Sequence, residues 1–443
     1  MKSSTFDNLP PMSQEDAFRI LSTPFEEIEL ESDYYKAVFH LAKFPGLATE
    51  KALLSLLAND SDQLCFAIAR RKAIEVLANF GCIESLPLIK ECLFNKDTYL
   101  IENAILALQK FKCKDILIQE RVIELLEDPN QNRRVLIQFL SNMNIISSVK
   151  RLKKIITDLS SSNIEKSAAI AALYKLNGDK SYLGILKDSL FLNNQNDRQC
   201  AIQDIIDASL IDFIPDLLLS PVAPSFRLKA VNSLWPKEQM TLSGIKLVSI
   251  IDSIIKDDIS SLILLHSYNF YPSNDFLFEE LFETDFSRSY LALRTILSRE
   301  PDELLNLIDS DRSRVKNDYG ALYFVNIFFN TLTSFDFKST ELVEDVSLSC
   351  LDPKWPSFMK FKPISILSLM NLNPIKYCNL LLSWFEEENN QYWATRYAVL
   401  ISLEVNLDKL TYFNPLELLN RAKLDSHKFV RLKAQDLHQN IYN

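Results

Sequence analysis

Residues 315–324 read VKNDYGALYF, in a slot that elsewhere along the chain holds RRKAIEVL (70–77) or FRLKAVNSL (226–234). Asp318, Tyr319 and Gly320 set a carboxylate, a phenol and a helix-weakening residue side by side, in a chain with only 6 glycines. On a continuous helix, Lys316, Tyr319 or Gly320, and Tyr323 recur at i, i+3/i+4 and i+7, and Asn326 and Asn330 continue that side. Val315, Leu322, Val325, Phe328 and Phe329 supply the apolar faces. A glycine inside a helix costs up to ~1 kcal/mol, yet it lets another group approach the backbone closely. A ligand docked over Gly320 would therefore meet two phenols, with Asp318 at its flank. The same residues also fit a tyrosine pair capping a core, with Asp318 ion-paired to Lys316 or to an arginine. The sequence leaves both open.

A second chemical feature is a ladder of cations. Arg70, Arg71, Arg134, Arg198, Arg227, Arg294, Arg396 and Arg431 all fall near the starts of helical segments. A cation there opposes the helix dipole by about 0.3–1 kcal/mol, so each needs a reason. Two arrangements supply one. Each arginine pairs with an Asp or Glu of the neighbouring repeat, or together they line a cationic groove for a ligand carrying carboxylates, which the guanidinium fork matches.

The elements that carry these residues recur. A basic or polar residue, a small residue and then apolar positions at helical spacing appear at 70–80, 100–111, 132–143, 165–176, 197–208, 226–235, 289–298, 392–403 and 429–437. Aligning Ala73, Ala104, Val135, Ala168, Ala201 and Ala230 gives steps of 31, 31, 33, 33 and 29. From Ala230 to Ala292 is 62, two periods, with DDISSLILLHSYNF (257–270) expected to fill the gap. A second amphipathic run precedes most slots, as in 82–94 and 180–192. Two helices per ~30–35 residues predict an all-α solenoid of roughly ten or eleven HEAT/armadillo-like repeats with a concave ligand surface. The register weakens at Pro221–Pro224, around Pro236, and between Phe335 and Pro356, where the step from Ala321 to Ile364 grows to 43. These read as bends between an N-terminal array, 1–235, and a C-terminal array, 236–443.

Composition removes several classes. Net charge is −10, which argues against a nucleic-acid binder. The 7 cysteines are scattered, with no CxxC pair, so neither a metal site nor a disulfide framework is expected. No glycine-rich phosphate loop and no GxSxG elbow occurs. The N-terminus lacks a signal-peptide core and no run is long enough to span a membrane, which places the chain in the cytoplasm.

The blocks at 70–108, 197–234 and 392–404, in that order after SQEDAFRILSTPFEEI (13–28), resemble the HEAT-repeat, E/F-type phycobilin lyases of cyanobacteria, and in particular the long single-chain members that serve phycoerythrin. The resemblance is strong over 70–235, thin from 240 to 390, and recovers at 392–404. It implies an enzyme that adds a cysteine thiol of a phycobiliprotein subunit across the ring-A ethylidene of phycoerythrobilin, with isomerisation to phycourobilin in some relatives. The implied partner is a phycoerythrin subunit, the α subunit first. The bilin is a substrate, and neither a metal nor a cofactor is implied. On that chemistry the bilin propionates would seek Arg70, Arg71, Arg198, Arg227, Arg294, Lys316 and Arg396. Asp318 would accept from the pyrrole N–H groups, and Tyr319, then Tyr323, would deliver the proton. The aromatic segment Trp384, Tyr392, Trp393 and Tyr397 fits either a wall for flat pyrrole rings or ordinary core packing. The different-class alternative is a non-enzymatic scaffold or chromophore chaperone.

Overall fold

The computed structural model describes residues 11–236, 239, 241–242, 244–299, 301–386, 392–410 and 412–442. The first ten residues, read above for a leader, lie outside these. Among the described residues the fold is all-α, apart from a two-residue antiparallel pair, Thr241–Leu242 with Ile245–Lys246. No helix there is long and apolar enough to cross a membrane. Contacts gather the chain into two compact units, Met1–Leu183 and Gly184–Asn443, whereas the bends in register suggested 1–235 and 236–443.

In the first unit the recurring slots are helices that stack on one another. Leu64–Phe80 packs on Thr98–Lys110, that helix on Arg133–Asn142, and that one on Asn163–Asn177. The recurring slot faces into the stack: Ala73, Ala104 and Ala168 are buried and Val135 partly so. Local chemistry sets the ends. Asp97 caps Thr98–Lys110 by accepting from the Tyr99 and Leu100 N–H groups. Ser162 and Glu165 form a capping box at the start of Asn163–Asn177, and Gly178, at φ +74°, ends it in the left-handed region that glycine enters freely.

Seven helices of the second unit position the site: α1 (Pro224–Leu234), α2 (Leu247–Lys256), α3 (Phe286–Leu297), α4 (Tyr319–Thr331), α5 (Phe361–Leu372), α6 (Trp393–Val405) and α7 (Lys428–Tyr442). From α3 to α7 each packs on the next, as a repeat should. Helix α2 departs from this order. Its six buried Leu, Val and Ile residues pack across α5, α6 and α7 as well as α1. The segment 257–270, expected to complete a repeat, does not form its second helix. Asp257 ends α2 in the left-handed conformation at φ 49°, one 3₁₀ turn follows at Ile259–Ser261, and the next helix starts at Asn274. The long step between α4 and α5 is not a simple bend either, because it contains a full helix, Phe337–Cys350.

The arginine ladder resolves in favour of ties between neighbouring segments. Arg71 makes a two-pronged pair with Asp97, 26 residues on, at 2.9 and 2.8 Å. Arg396 does the same with Asp425, 29 residues on, at 2.6 and 2.8 Å. Arg198 reaches Asp285 at 2.5 Å and the Leu192 and Asn193 carbonyls. Arg70 donates to the Asn59 and Ser61 carbonyls, Arg134 to that of Ile164, Arg294 to that of Leu262, and Arg431 to those of Asp425 and Ser426. A guanidinium that donates to backbone carbonyls and a capping carboxylate is satisfied where it stands, so the expected cationic groove is not built from these residues.

Arg396 and Asp425 are both buried, whereas the Arg421–Glu417 pair is half exposed on both sides. Removing one partner of a buried pair strands the other charge, at a cost of about 3–5 kcal/mol. Chemical denaturation of Arg396→Ala should show a loss of that size, and Arg421→Ala a loss below ~1 kcal/mol. Equal losses would mean that the buried pair is not what joins these segments.

Candidate active site

Helices α1, α2, α4, α5 and α6 line a half-open cavity of about 470 Å³ in the second unit. Pro224, Ser225 and Leu228 line it from α1, Ile254 and Ile255 from α2, and Tyr319 and Tyr323 from α4. Phe358, Met359 and Lys360 enter from the segment before α5, joined by Pro363, Tyr392 and Ala394. The lining is mostly apolar and aromatic, with phenols and one ammonium as its chemical groups, and the volume falls in the range of small-molecule sites.

Behind the Tyr323 wall lies a buried ionic cluster. Asp257 has no solvent exposure, and its left-handed backbone turns the carboxylate inward from the end of α2. Its Oδ1 accepts from Arg227 of α1 at 2.5 Å. Its Oδ2 accepts from the Tyr290 hydroxyl of α3 at 2.5 Å and from the Tyr323 hydroxyl of α4. One carboxylate thus joins four helices. Burial, reinforced by the Asp257 charge, pushes both phenols well above their ordinary range, so Tyr323 holds its proton tightly.

The opening stretch is not one helix. The short helix Arg312–Val315 ends, and Asp318 becomes the N-cap of α4, its Oδ1 accepting from the Gly320 and Ala321 N–H groups at 2.8 Å each. Asp318 therefore stands beside the cavity, outside its lining, with capping as its observed task. Gly320 does not open space for a ligand. A Cβ there would meet Asp318 Oδ1 at 3.2 Å and the Leu281 and Glu283 carbonyls at 3.8 and 3.9 Å, so the missing side chain admits the protein's own backbone. Lys316 pairs with Asp345 at 2.7 Å, away from the stripe to which it was assigned. Asn326 is a core residue, donating to the Leu322 carbonyl and accepting from Ser347.

The two tyrosines part company. Tyr323 is 2% exposed and engaged with Asp257, whereas Tyr319 is 54% exposed at the cavity. Among the described residues the Tyr319 hydroxyl has no hydrogen-bond partner. Of the aromatic segment, Tyr392 alone lines the cavity. Trp384 lies against Tyr377, Trp393 stacks on His427 at 4.3 Å, and Tyr397 is buried, donating to Asp252. Arg198, Arg227, Arg294 and Arg396 lie in the same unit but outside the lining, and Arg70 and Arg71 line a different cavity in the first unit.

Sequence reasoning missed Asp257, Tyr290 and Lys360. Neither Asp257, inside a stretch that imitates a repeat, nor Lys360, just past the register break at 335–356, carried a signal of its own. The Lys360 ammonium lies 3.8 Å from the Phe286 ring centre, and 5.6 and 5.9 Å from those of Tyr323 and Tyr319. Burial pushes it down to about 8, a shift that the charges of Asp257 and Asp318 only partly offset.

What these features define is a helical-repeat protein with a ligand-sized aromatic cavity backed by a fixed carboxylate. Residues 69–95 match the PBS lyase HEAT-like repeat. Over 413 residues, 92% of this chain and 98% of the relative, the sequence is 34% identical to the bilin biosynthesis protein CpeY of Synechococcus sp. (strain WH8020). It is 31% identical over 424 residues, 94% and 98% of the two chains, to the uncharacterized phycocyanin operon protein Y of Pseudanabaena tenuis (strain PCC 7409). The solved complex of CpcE and CpcF of phycocyanin lyase from Nostoc sp. PCC7120 is 22% identical, with 57% of this chain and 99% of that chain covered at a TM-score of 0.46. The chain belongs to the HEAT-repeat phycobilin lyase family.

Lys360 gives the site a pH signature. An unfolded lysine titrates near 10.4, and the folded one at about 8. Below pH 8 both states are protonated and the fold bears the cost of an unpaired ammonium. Between about 8 and 10.4 the unfolded chain binds more protons, so stability attributable to this residue rises with pH. Urea unfolding should find Lys360→Met more stable than the parent at pH 7, with the gap closing towards pH 10. A gap independent of pH would mean that Lys360 is solvated.

Proposed function

We propose that the second unit's cavity receives an open-chain tetrapyrrole, and that the protein joins it to a cysteine of a phycobiliprotein subunit in the cytoplasm. The substrate pair is phycoerythrobilin and phycoerythrin, the α subunit first. In the reaction the subunit's S–H bond breaks and sulfur bonds to the exocyclic ethylidene carbon of ring A. The carbon–carbon π bond is lost, and a proton arrives on the ring carbon at its other end. No oxidant, reductant or cofactor enters that balance, and the bilin is a substrate.

The observation that carries the reading is the free Tyr319 phenol at an aromatic cavity, in a chain of this family. Flat pyrrole rings match the cavity's aromatic walls. A phenol with no partner among the described residues is free to donate to a ligand, so Tyr319 is the proton donor. Tyr323 is the poorer donor, because its proton is shared with Asp257. Asp318 keeps Oδ2 without a hydrogen-bond partner among the described residues, and that oxygen is available to a pyrrole N–H at the cavity's edge. Isomerisation to phycourobilin takes one further proton movement between carbons, within reach of the same phenol.

Co-expression with phycoerythrobilin synthesis and the phycoerythrin α subunit tests this. A denaturing gel stained for zinc-enhanced bilin fluorescence should show a labelled subunit band, and its absorbance distinguishes phycoerythrobilin from phycourobilin. Tyr319→Phe should slow adduct formation by about 10²–10⁴-fold while bilin binding persists. Unchanged labelling by Tyr319→Phe would overturn the donor role. Bilin bound with no covalent adduct on any subunit would overturn the enzymatic reading in favour of a chromophore chaperone.

A further inference from the structure

Lys360 is the one charged residue among the described residues that line the second unit's cavity. Elsewhere in this unit buried cations are matched to acceptors: Arg227 to Asp257, Arg396 to Asp425, Lys433 to Asp252 and Glu404, and Lys362 to the Trp355 carbonyl. Lys360 breaks that pattern. Among the described residues its ammonium makes no ion pair and no hydrogen bond, and it faces the rings of Phe286, Tyr319 and Tyr323 instead. Ring faces hold a cation by electrostatic attraction, but they leave its three N–H donors unpaired. An ammonium taken from water without a hydrogen-bond acceptor is costly, and one aimed into a cavity can recover that cost from an anionic ligand. The depressed proton affinity agrees, as an added anion would restore the charged form.

We infer that Lys360 is the anion anchor of the cavity, and that it binds a carboxylate arm of the ligand. This deepens the tetrapyrrole reading and rests on it. The role also differs from what the arginine ladder suggested, because the ladder is occupied in holding repeats together. A carboxylate seated at Lys360 is held next to both tyrosine rings, since the three groups share one corner of the cavity. The rings attached to that short arm are then restricted to one side, which selects the end of an open chain that reaches the Tyr319 hydroxyl. Lys360 is thus a binding and orienting residue, with the proton donor beside it.

The test compares biliverdin with its dimethyl ester, two open-chain tetrapyrroles of nearly the same shape that differ in carboxylate charge. Both are titrated at pH 7 into the full-length protein, with the bilin absorbance band as readout. A charge-assisted hydrogen bond predicts that the diacid binds about tenfold or more tightly than the ester. That preference should fall to near unity in Lys360→Met and persist in Lys360→Arg. Measurable but equal binding of the two probes by the unsubstituted protein, or a preference that survives Lys360→Met, would overturn the inference and leave the cavity's tetrapyrrole reading standing. No binding of either probe would overturn both. Where Lys360→Met fails to fold, Lys360→Gln takes its place, and equal binding of the two probes by the unsubstituted protein overturns the inference without any variant.

Discussion

The cavity depends on one carboxylate. Asp257 is buried, and α1, α3 and α4 each send a donor to it from Arg227, Tyr290 and Tyr323, while α2 supplies the residue itself. An isolated carboxylate in such a place would be strongly disfavoured, and the arginine and two phenols make it tolerable by filling its acceptor positions. The left-handed backbone at Asp257 is the second condition, since it aims the side chain back into the protein instead of continuing α2. Because four helices converge on that group, the Tyr323 wall is fixed in place and the phenol is withdrawn from chemistry. What remains for a ligand is the ring face of Tyr323 and the free hydroxyl of its neighbour one turn earlier.

The rest of the chain uses simpler versions of the same device. Arg71 with Asp97 and Arg396 with Asp425 link a helix to the segment one repeat later, and in the first pair the carboxylate also caps a helix. A carboxylate near a helix N-terminus serves two donors at once, the backbone amides and the incoming guanidinium. This is why arginines sit at helix starts that otherwise disfavour them, and why their spacing follows the repeat. Periodic chemistry holds periodic structure together. At Asp257 the same pairing is enlarged by two phenols and turned towards a cavity.

The repeat was therefore the legible part. Alanine at a fixed slot with arginine ahead of it announces stacked helices, and Ala73, Ala104, Ala201, Ala230 and Ala292 are buried as that pattern requires. The family was legible in the same blocks. The site was legible only in outline. Tyr319 stood out by its setting, but Asp318 and Gly320 stood out for a local reason, a helix start that sequence spacing does not separate from a helix interior. Asp257 was hidden inside DDISSLILLHSYNF, where apolar residues at nearly helical spacing imitate a repeat. Its backbone conformation and its partners 30, 33 and 66 residues away are tertiary facts. Lys360 carried no pattern at all, being one lysine in an irregular stretch.

A regular solenoid has little reason to contain an aromatic cavity, because each helix covers its neighbour's apolar face and nothing is left over. Two irregularities change that here. Helix α2 lies across three later helices instead of serving one neighbour, and the segment after Phe337–Cys350 swings Phe358, Met359 and Lys360 to the cavity before α5 begins. Interruption of the repeat thus creates both the space and the groups that face it. It follows that polar residues satisfied by the repeat's own geometry hold the scaffold together, and that the residues the geometry leaves unsatisfied are available for a ligand. Tyr319 and Lys360 are of the second kind. They lie side by side at the place where the periodic pattern fails, one able to give a proton and the other able to hold a charge.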